Sequence, residues 1–263
     1  MPRLGVAGYV KTAAMSASVV GDSPLFVLDY AVRLLRVLIL LALWRTILGP
    51  QPTAGPMSLS AVLTYSLIAE VFADQLAVRT TLTEAFWEGT LVVRFLRPMG
   101  MVRQFGAEMA GRWAMNLAFF SLPLLLLAPL LGVDVRPASP LAAALFVLSL
   151  ALAVLIGLVT EVLFGVLTVA TEQPVWIIEW LHRGVATLLS GSLLPLAYYP
   201  WGLGDVFGWL PFAAMAWAPL AIYTGTGSSL ALISSQAVWA VVLWPVAAWL
   251  WRLNREKLVG YGG

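Results

Sequence analysis

The chain has 263 residues, of which 61% are hydrophobic and only 11% are charged, and its formal net charge is +2. Water-soluble domains carry roughly 25% charged residues, so this composition excludes a soluble globular fold. The absence of cysteine excludes disulfides and thiolate metal sites. Long unbroken apolar runs and a mean hydropathy of +0.91 predict an all-α integral membrane protein with a single transmembrane domain over residues 1–263.

The N-terminal segment, residues 1–30, is polar to weakly amphipathic. We expect it to lie on the cytoplasmic side as an interfacial helix that leads into the first span. The sequence Asp22-Ser23-Pro24 is typical of a helix start, with proline at the first helical position. A disordered tail over residues 1–20 is the open alternative.

The apolar runs that follow predict six transmembrane helices. We expect them over residues 31–49, 59–78, 113–131 and 141–170, in a fifth helix that begins near Gly184, and over 229–251. The first run is interrupted by Arg33, Arg36 and Arg45, whose long side chains can reach the two interfaces. The fourth run is longer than a bilayer requires, which predicts a tilt, a kink near Gly157 or Gly165, or a projection beyond the membrane.

The segment between the fifth and sixth spans, residues 200–228, is rich in proline, glycine and aromatic residues. Proline and glycine break helices, whereas tryptophan and tyrosine concentrate at membrane interfaces. We therefore expect broken re-entrant helices on the outer side rather than another full span.

Basic residues are distributed unevenly between the predicted loops. With the N-terminus inside, thirteen of the fifteen lysines and arginines fall on the cytoplasmic side and only Arg45 and Arg136 fall outside. This bias predicts a multi-pass protein of the inner (cytoplasmic) membrane with both termini in the cytoplasm. A full span over residues 206–226 would place the basic C-terminal tail on the wrong side.

The residue inventory argues against most enzymatic chemistry on this chain. His182 is the only histidine, so neither a multi-histidine metal site nor a plausible serine nucleophile and base pair can form. We expect His182 to be an interfacial residue at the start of a helix. Lys11 and Lys257 are the only lysines, and neither stands in a Gly-Lys-Ser/Thr phosphate loop. We therefore expect no catalytic residue, metal or cofactor here, and any ATP and magnesium would bind a separate subunit.

A charged loop, residues 79–112, follows the second span on the predicted cytoplasmic side. Thr81 and Glu84 fit a capping box, which predicts a short helix that ends at Gly89. A rigid aromatic and charged surface of this kind suits docking to a partner protein. The residues expected to act there are Thr81, Glu84, Phe86, Trp87, Glu88, Gly89, Arg94, Arg97 and Pro98. An ordinary basic loop held at lipid headgroups is the open alternative.

Three carboxylates fall within or near predicted spans: Glu70, Asp74 and Glu161. A carboxylate at mid-membrane is costly and should face protein or water. One interpretation puts all three along a translocation path that favours cationic amphipathic substrates. The alternative pairs Glu70 or Asp74 with Arg79 or Arg112, and lets the long fourth helix carry Glu161 into the cytoplasm.

The sequence from Glu88 to Pro98 resembles the signature of type-2 ABC transporter permeases, and a second resemblance lies near the C-terminus. There the run Ser190-Gly191-Ser192, then Leu210-Pro211-Phe212 and then Tyr223-Thr224-Gly225, is similar to the end of such permeases. Gln236, Trp239 and Gly260 fit the same ending. On this resemblance the outer gate candidates are Pro195, Pro200, Pro211, Phe212 and Pro219.

The resemblance implies a membrane-spanning permease subunit that exports an amphipathic or hydrophobic compound with a separate ABC ATPase subunit. A second permease subunit would pair with it, as a heterodimer in preference to a homodimer. The loop after the second span would hold the coupling helix. Two alternatives stay open: a proton-coupled secondary transporter that uses Glu70, Asp74 or Glu161, and a membrane scaffold without transport activity.

Overall fold

The computed structural model describes residues 6–21, 26–50, 55–81, 93–94, 96 and 99–254. Within these ranges the chain is helical and contains no strand, so the expected all-α class is confirmed. The helices are α1 (Val6–Gly21), α2 (Phe26–Leu48), α3 (Leu59–Val71), α4 (Ala73–Leu76), α5 (Met101–Asn116), α6 (Leu122–Leu127), α7 (Pro140–Thr171), α8 (Val175–Leu189), α9 (Leu203–Gly208), α10 (Pro211–Met215), α11 (Trp217–Thr224) and α12 (Ser229–Leu253).

Three helical stretches in the described part of the chain are long and apolar enough to cross a membrane. They are Arg103–Leu127, Pro140–Thr171 and Ser229–Leu253. The first is not a single α-helix, because a π-helical segment, Leu117–Ser121, joins α5 to α6. Helix α3 is apolar but has only 13 residues. The helical composition and these three stretches agree with an integral membrane protein.

Helix α1 forms in the N-terminal segment and packs along α5, so residues 6–21 are helical rather than a disordered tail. The Tyr9 hydroxyl donates a hydrogen bond to the Gly106 carbonyl at 3.1 Å. A Cβ on Gly111 would lie only 2.0 Å from the Ala13 carbonyl oxygen, so the two backbones meet where a side chain has no room. The Asp22-Ser23-Pro24 start signal lies outside the described residues.

The second predicted span is not one continuous helix. Its start is capped by Ser58, whose side chain accepts a hydrogen bond from the Ala61 amide at 3.3 Å. The helix ends at Phe72, where φ is −107° and ψ is 20°, and the short α4 follows. The prediction of a single helix over 59–78 was therefore wrong, because the sequence has no proline or glycine near Phe72 to signal the break.

Helix α7 runs unbroken for 32 residues. Ser139 caps its first turn by accepting a hydrogen bond from the Ala142 amide at 3.0 Å, and Pro140 opens the helix. At 1.5 Å per residue the helix is about 48 Å long, which exceeds the roughly 30 Å apolar core of a bilayer. The helix is not interrupted at Gly157. That glycine instead allows close packing, because a Cβ there would lie 2.8 Å from Val78.

The Pro/Gly-rich segment after α8 consists of short helices. Two 3₁₀ turns, Leu196–Tyr198 and Pro200–Gly202, precede α9, α10 and α11. Within the second turn, Trp201 and Gly202 adopt left-handed backbone conformations, with φ of 58° and 72°. The chain therefore changes direction repeatedly over residues 196–224 instead of forming one long helix.

Gln236 ties the last helix to the bundle. Its side chain is fully buried and accepts a hydrogen bond from the Ser149 hydroxyl of α7 at 2.8 Å. Its amide nitrogen donates to the Ser149 carbonyl at 3.0 Å and to the Ala214 carbonyl at 2.8 Å. Because each polar atom of the amide has a partner, the network fixes α12 against α7 and α10.

Candidate functional site

Because α5 begins at Met101, the charged loop is shorter than the expected 79–112 and ends before α5, and one ion pair closes it at its base. Arg94 donates two hydrogen bonds from one guanidinium nitrogen to the Glu108 carboxylate of α5, at 2.8 and 3.0 Å. The Thr81 hydroxyl donates to the same carboxylate at 2.9 Å and accepts from Arg94 at 3.2 Å. Both ends of the loop therefore meet on one side chain, and we call Thr81, Arg94 and Glu108 the clamp.

Neighbouring residues hold Arg94 in this position. The guanidinium lies over the Phe105 ring, 4.7 Å from its centroid. Gln104 is fully buried and donates to the Arg94 carbonyl at 2.9 Å and to the Met99 carbonyl. Arg94 was expected to contact a partner, but its charged group is engaged within the chain.

Glu108 was not among the predicted site residues. On sequence alone it is one of several charges between residues 79 and 112, and its partner depends on how α5 lies against the loop. The predicted loop residues Glu84, Phe86, Trp87, Glu88, Gly89, Arg97 and Pro98 lie outside the described part of the chain. The structure therefore describes the base of the loop, whereas the predicted helix lies outside the described residues.

The two carboxylates of the second predicted span are paired with arginines of the first. Glu70 is 8% exposed and its Oε2 lies 2.5 Å from the Arg36 guanidinium. Asp74 lies 3.5 Å from the Arg33 guanidinium and also accepts a hydrogen bond from Asn116. One interpretation of the sequence paired Glu70 or Asp74 with Arg79 or Arg112. The observed ion pairs with Arg36 and Arg33 show that this interpretation was wrong.

Arg33 and Arg36 were expected to extend to a membrane interface. Both instead turn towards α3 and α4, where Arg36 pairs with Glu70 and Arg33 pairs with Asp74. Arg33 also contacts Asp29 at 3.1 Å and lies over the Phe120 ring at 5.5 Å. Arg45, at the other end of α2, donates a hydrogen bond to the Leu131 carbonyl.

Two adjoining cavities lie beside these ion pairs. The larger, of about 560 Å³, is lined by residues of α2, α3, α4 and α5 that include both ion pairs. The smaller, of about 270 Å³, lies between the chain after α4 and helices α7 and α8. Six residues line both cavities, and we call them the junction: Leu76, Ala77, Arg79, Arg112, Thr187 and Ser192.

The two arginines of the junction form no ion pair with a carboxylate among the described residues. Arg112 donates a hydrogen bond to the Arg79 carbonyl at 2.9 Å, which brings the two residues together. Partial burial lowers the pKa of Arg79, and the nearby Arg183 lowers it further against the opposing effect of three carboxylates. Its guanidinium remains charged, since arginine does not lose its proton in proteins at ordinary pH.

Glu161 occupies the wall of the smaller cavity. Its carboxylate accepts hydrogen bonds from the Thr80 amide at 3.0 Å and hydroxyl at 3.3 Å, and lies 3.3 Å from His182 Nδ1. Glu161 is 9% exposed, so α7 does not carry it into solvent as one alternative supposed. His182 stacks on Phe164 in the middle of α8 rather than at a helix start, and its Nε2 has no hydrogen-bond partner in the described structure.

The five outer gate candidates occupy different environments. Pro195 and Pro219 are buried, Pro200 is exposed, and Pro211 and Phe212 are intermediate at the start of α10. Hydrogen bonds join this region to the bundle. The Tyr65 hydroxyl donates to the Gly191 carbonyl at 2.7 Å, and the Trp217 amide donates to the Ser190 carbonyl at 2.8 Å. The segment is therefore anchored to α3 at the turn that follows α8.

A family model described as ABC-2 family transporter protein matches residues 34–262. No curated protein and no solved structure matches the chain. The matched range includes both cavities apart from Asp29, Tyr30, Val32 and Arg33.

Proposed function

The chain belongs to the ABC-2 family of transporters, and on that premise we propose that it is a permease subunit that exports an amphipathic or hydrophobic compound with a separate ABC ATPase subunit. Membership of this family supports the view that the chain is a membrane transport component and that it associates with an ATPase subunit. The observation that carries the coupling role is the clamp, in which one carboxylate of α5 gathers both ends of the charged loop.

The proposed topology has six spans with both termini in the cytoplasm of the inner membrane. Helix α2, the α3–α4 pair and α8 would supply the other three spans. Helix α8 runs from Val175 to Leu189, so the prediction that the fifth helix begins near Gly184 was wrong. The excess of lysine and arginine on one side supports this orientation. Because the chain has no cysteine, single introduced cysteines can be labelled from either side without background. Labelling of Arg136→Cys from the cytoplasm would contradict the proposed topology.

The loop after α4 is proposed to hold the coupling helix that docks in the ATPase. Movement of such a helix can reach the transmembrane bundle only if firm contacts connect the loop to the transmembrane helices. The clamp supplies them, because Glu108 is held by Arg94 and Thr81 and stands on a helix that continues towards α6. On this proposal Trp87, Arg97 and their neighbours contact the ATPase, whereas Arg94 positions the loop.

The segment over residues 200–228 is proposed to form the outer gate, as re-entrant helices between the last two spans. Its repeated changes of direction and the contact of the Trp217 ring with the Tyr65 ring, 5.8 Å between centroids, support this role, because α3 also carries Glu70 beside the larger cavity. Two permease subunits would pair around the path, and a heterodimer is favoured by the resemblance. No cofactor is proposed on this chain, and ATP with magnesium would bind the partner.

A proton-coupled secondary transporter is the second candidate. The buried pair of Glu161 and His182 favours it, because adjoining titratable groups are found in proton relays. Two of the three carboxylates named for that mechanism are already held in ion pairs with Arg33 and Arg36. We therefore rank it below the ATP-driven permease.

Co-purification tests the proposed function. The full chain is co-expressed with its candidate ATPase, extracted in several mild detergents and isolated through a tag on the permease. A stoichiometric ATPase whose hydrolysis rate depends on the permease is the expected result. Loss of the ATPase in every detergent, with a folded permease, would point to the proton-coupled alternative.

A further inference from the structure

We infer that the junction binds the anionic head group, a phosphate or carboxylate, of an amphipathic molecule. This inference rests on the proposed function for its role in transport, because it names the substrate class of the same cavity. Four polar residues of the junction carry it: Arg79, Arg112, Thr187 and Ser192.

Net charge does not distinguish an anionic from a cationic ligand here. The two cavities together are lined by five arginines and five carboxylates. An anionic and a cationic ligand are distinguished by which of the charged groups lining the cavities already have partners. Glu70, Asp74, Asp29 and Glu179 each contact an arginine, and Glu161 accepts from Thr80 and contacts His182. A cationic ligand would have to displace one of these donors.

An anionic ligand meets the opposite situation. Neither Arg79 nor Arg112 has a carboxylate partner in the described structure, and only Arg112 donates a hydrogen bond, to a backbone carbonyl. The guanidinium group offers five N–H donors in a planar arrangement that matches phosphate and carboxylate. Thr187 and Ser192 line the same space, and each carries a hydroxyl that can donate a hydrogen bond. The junction is therefore rich in unused donors and has no unused carboxylate.

The surroundings of the junction indicate an amphipathic ligand rather than a free ion. The larger cavity, at about 560 Å³, falls in the usual range for ligand pockets of about 300–1,000 Å³. Apolar side chains also line it, and two of them, Val32 and Leu193, are 57% and 47% exposed on the bundle surface. A head group at the junction would leave its apolar chain along these residues.

Native mass spectrometry of the purified permease tests the site. The protein is equilibrated with equal amounts of phosphatidylglycerol and phosphatidylcholine of identical acyl chains, and the retained lipids are counted. The wild type is expected to retain phosphatidylglycerol preferentially. In Arg79→Gln/Arg112→Gln this preference should fall about tenfold or more, since each charge-assisted hydrogen bond contributes about one factor of ten.

Two matched variants separate the site from general surface charge and from misfolding. Arg103→Gln/Arg252→Gln removes the same charge from exposed positions that line neither cavity, and it should keep the wild-type preference. Arg79→Lys/Arg112→Lys keeps the charge and should keep most of the preference, because lysine binds phosphate as a point charge.

The outcomes separate this inference from the proposed function. Equal phosphatidylglycerol preference in the wild type and Arg79→Gln/Arg112→Gln overturns the site, even if the ATPase still co-purifies. Loss of the ATPase with a normal lipid result overturns the proposed function and leaves the site. Inorganic phosphate at millimolar concentration should not displace the lipid; full displacement would overturn the amphipathic part of the inference.

Discussion

Arg94 and Glu108 lie on opposite sides of a loop boundary and form a charge-assisted pair at 2.8 Å, with both side chains less than 15% exposed. Thr81, at the other end of the loop, shares the same carboxylate. Because a shielded pair is screened little by salt, this contact between the loop and α5 should persist at high ionic strength. Its position makes it the part of the structure on which the coupling proposal depends most.

Replacing Glu108 with glutamine should weaken the coupling of the permease to ATP hydrolysis more than it weakens binding of the ATPase. The substitution keeps the shape of the side chain but leaves the Arg94 charge shielded and unpaired, a change that costs about 3–5 kcal/mol when fully buried and less here. We expect permease-dependent ATP hydrolysis to fall several-fold while the ATPase still co-purifies. The exchange Arg94→Glu/Glu108→Arg should recover part of the activity. Full activity of Glu108→Gln would show that the clamp is dispensable.

The Arg36–Glu70 pair should behave as a coupled unit. Arg36→Gln leaves a buried carboxylate without its cation, so it should lower the thermal stability more than Arg36→Gln/Glu70→Gln does. We expect a coupling energy of about 1–3 kcal/mol from the double-mutant cycle. Arg136→Gln, at an exposed position outside both cavities, is the control. Additive effects of the two changes would contradict the observed pairing.

Gln236 should be essential for the packing of α12. Gln236→Leu removes three hydrogen bonds and leaves the Ser149 hydroxyl and the Ala214 carbonyl without a partner in a buried site. Each such group costs about 1–3 kcal/mol. Thermal unfolding in detergent should therefore shift downwards by several degrees. Ser234→Ala, on the exposed face of the same helix, should change the midpoint by no more than about one degree.

Gly111 should control the docking of α1. Gly111→Ala places a methyl group 2.0 Å from the Ala13 carbonyl oxygen, so one of the two helices must move. Hydrogen exchange of the α1 amides should speed up markedly while that of α7 stays unchanged. Gly165→Ala is the matched control, because no atom lies within 4 Å of its added Cβ. Unchanged exchange in α1 would mean that the helices are not in contact.

The sequence predicted the long helices well because their signals are local. Helix α7 starts at a Ser-Pro cap and continues through an apolar run, and it differs from the expected 141–170 by one residue at each end. The last helix follows its apolar run in the same way, to Leu253 rather than residue 251. Composition alone therefore sufficed for the class of the fold and for the elements that are apolar throughout.

The charged contacts were not predictable because they depend on how distant elements approach each other. Arg33 and Arg36 are separated from Asp74 and Glu70 by a turn and a helix, and nothing local selects them over Arg79 or Arg112. The break at Phe72 is equally hidden, because no proline or glycine stands near it in the sequence. The family resemblance gave the function class, whereas the partners of each charge required the structure.

The central claim is that the loop after α4 couples this permease to a separate ATPase. The most direct measurement compares ATPase co-purification and permease-stimulated ATP hydrolysis for the wild type, Trp87→Ala/Arg97→Ala and the control Trp244→Ala/Arg136→Ala. The control changes the same residue types at exposed positions away from the loop. The account predicts that only the loop variant loses the ATPase or its stimulation. Equal ATPase recovery and stimulation in all three proteins would contradict it.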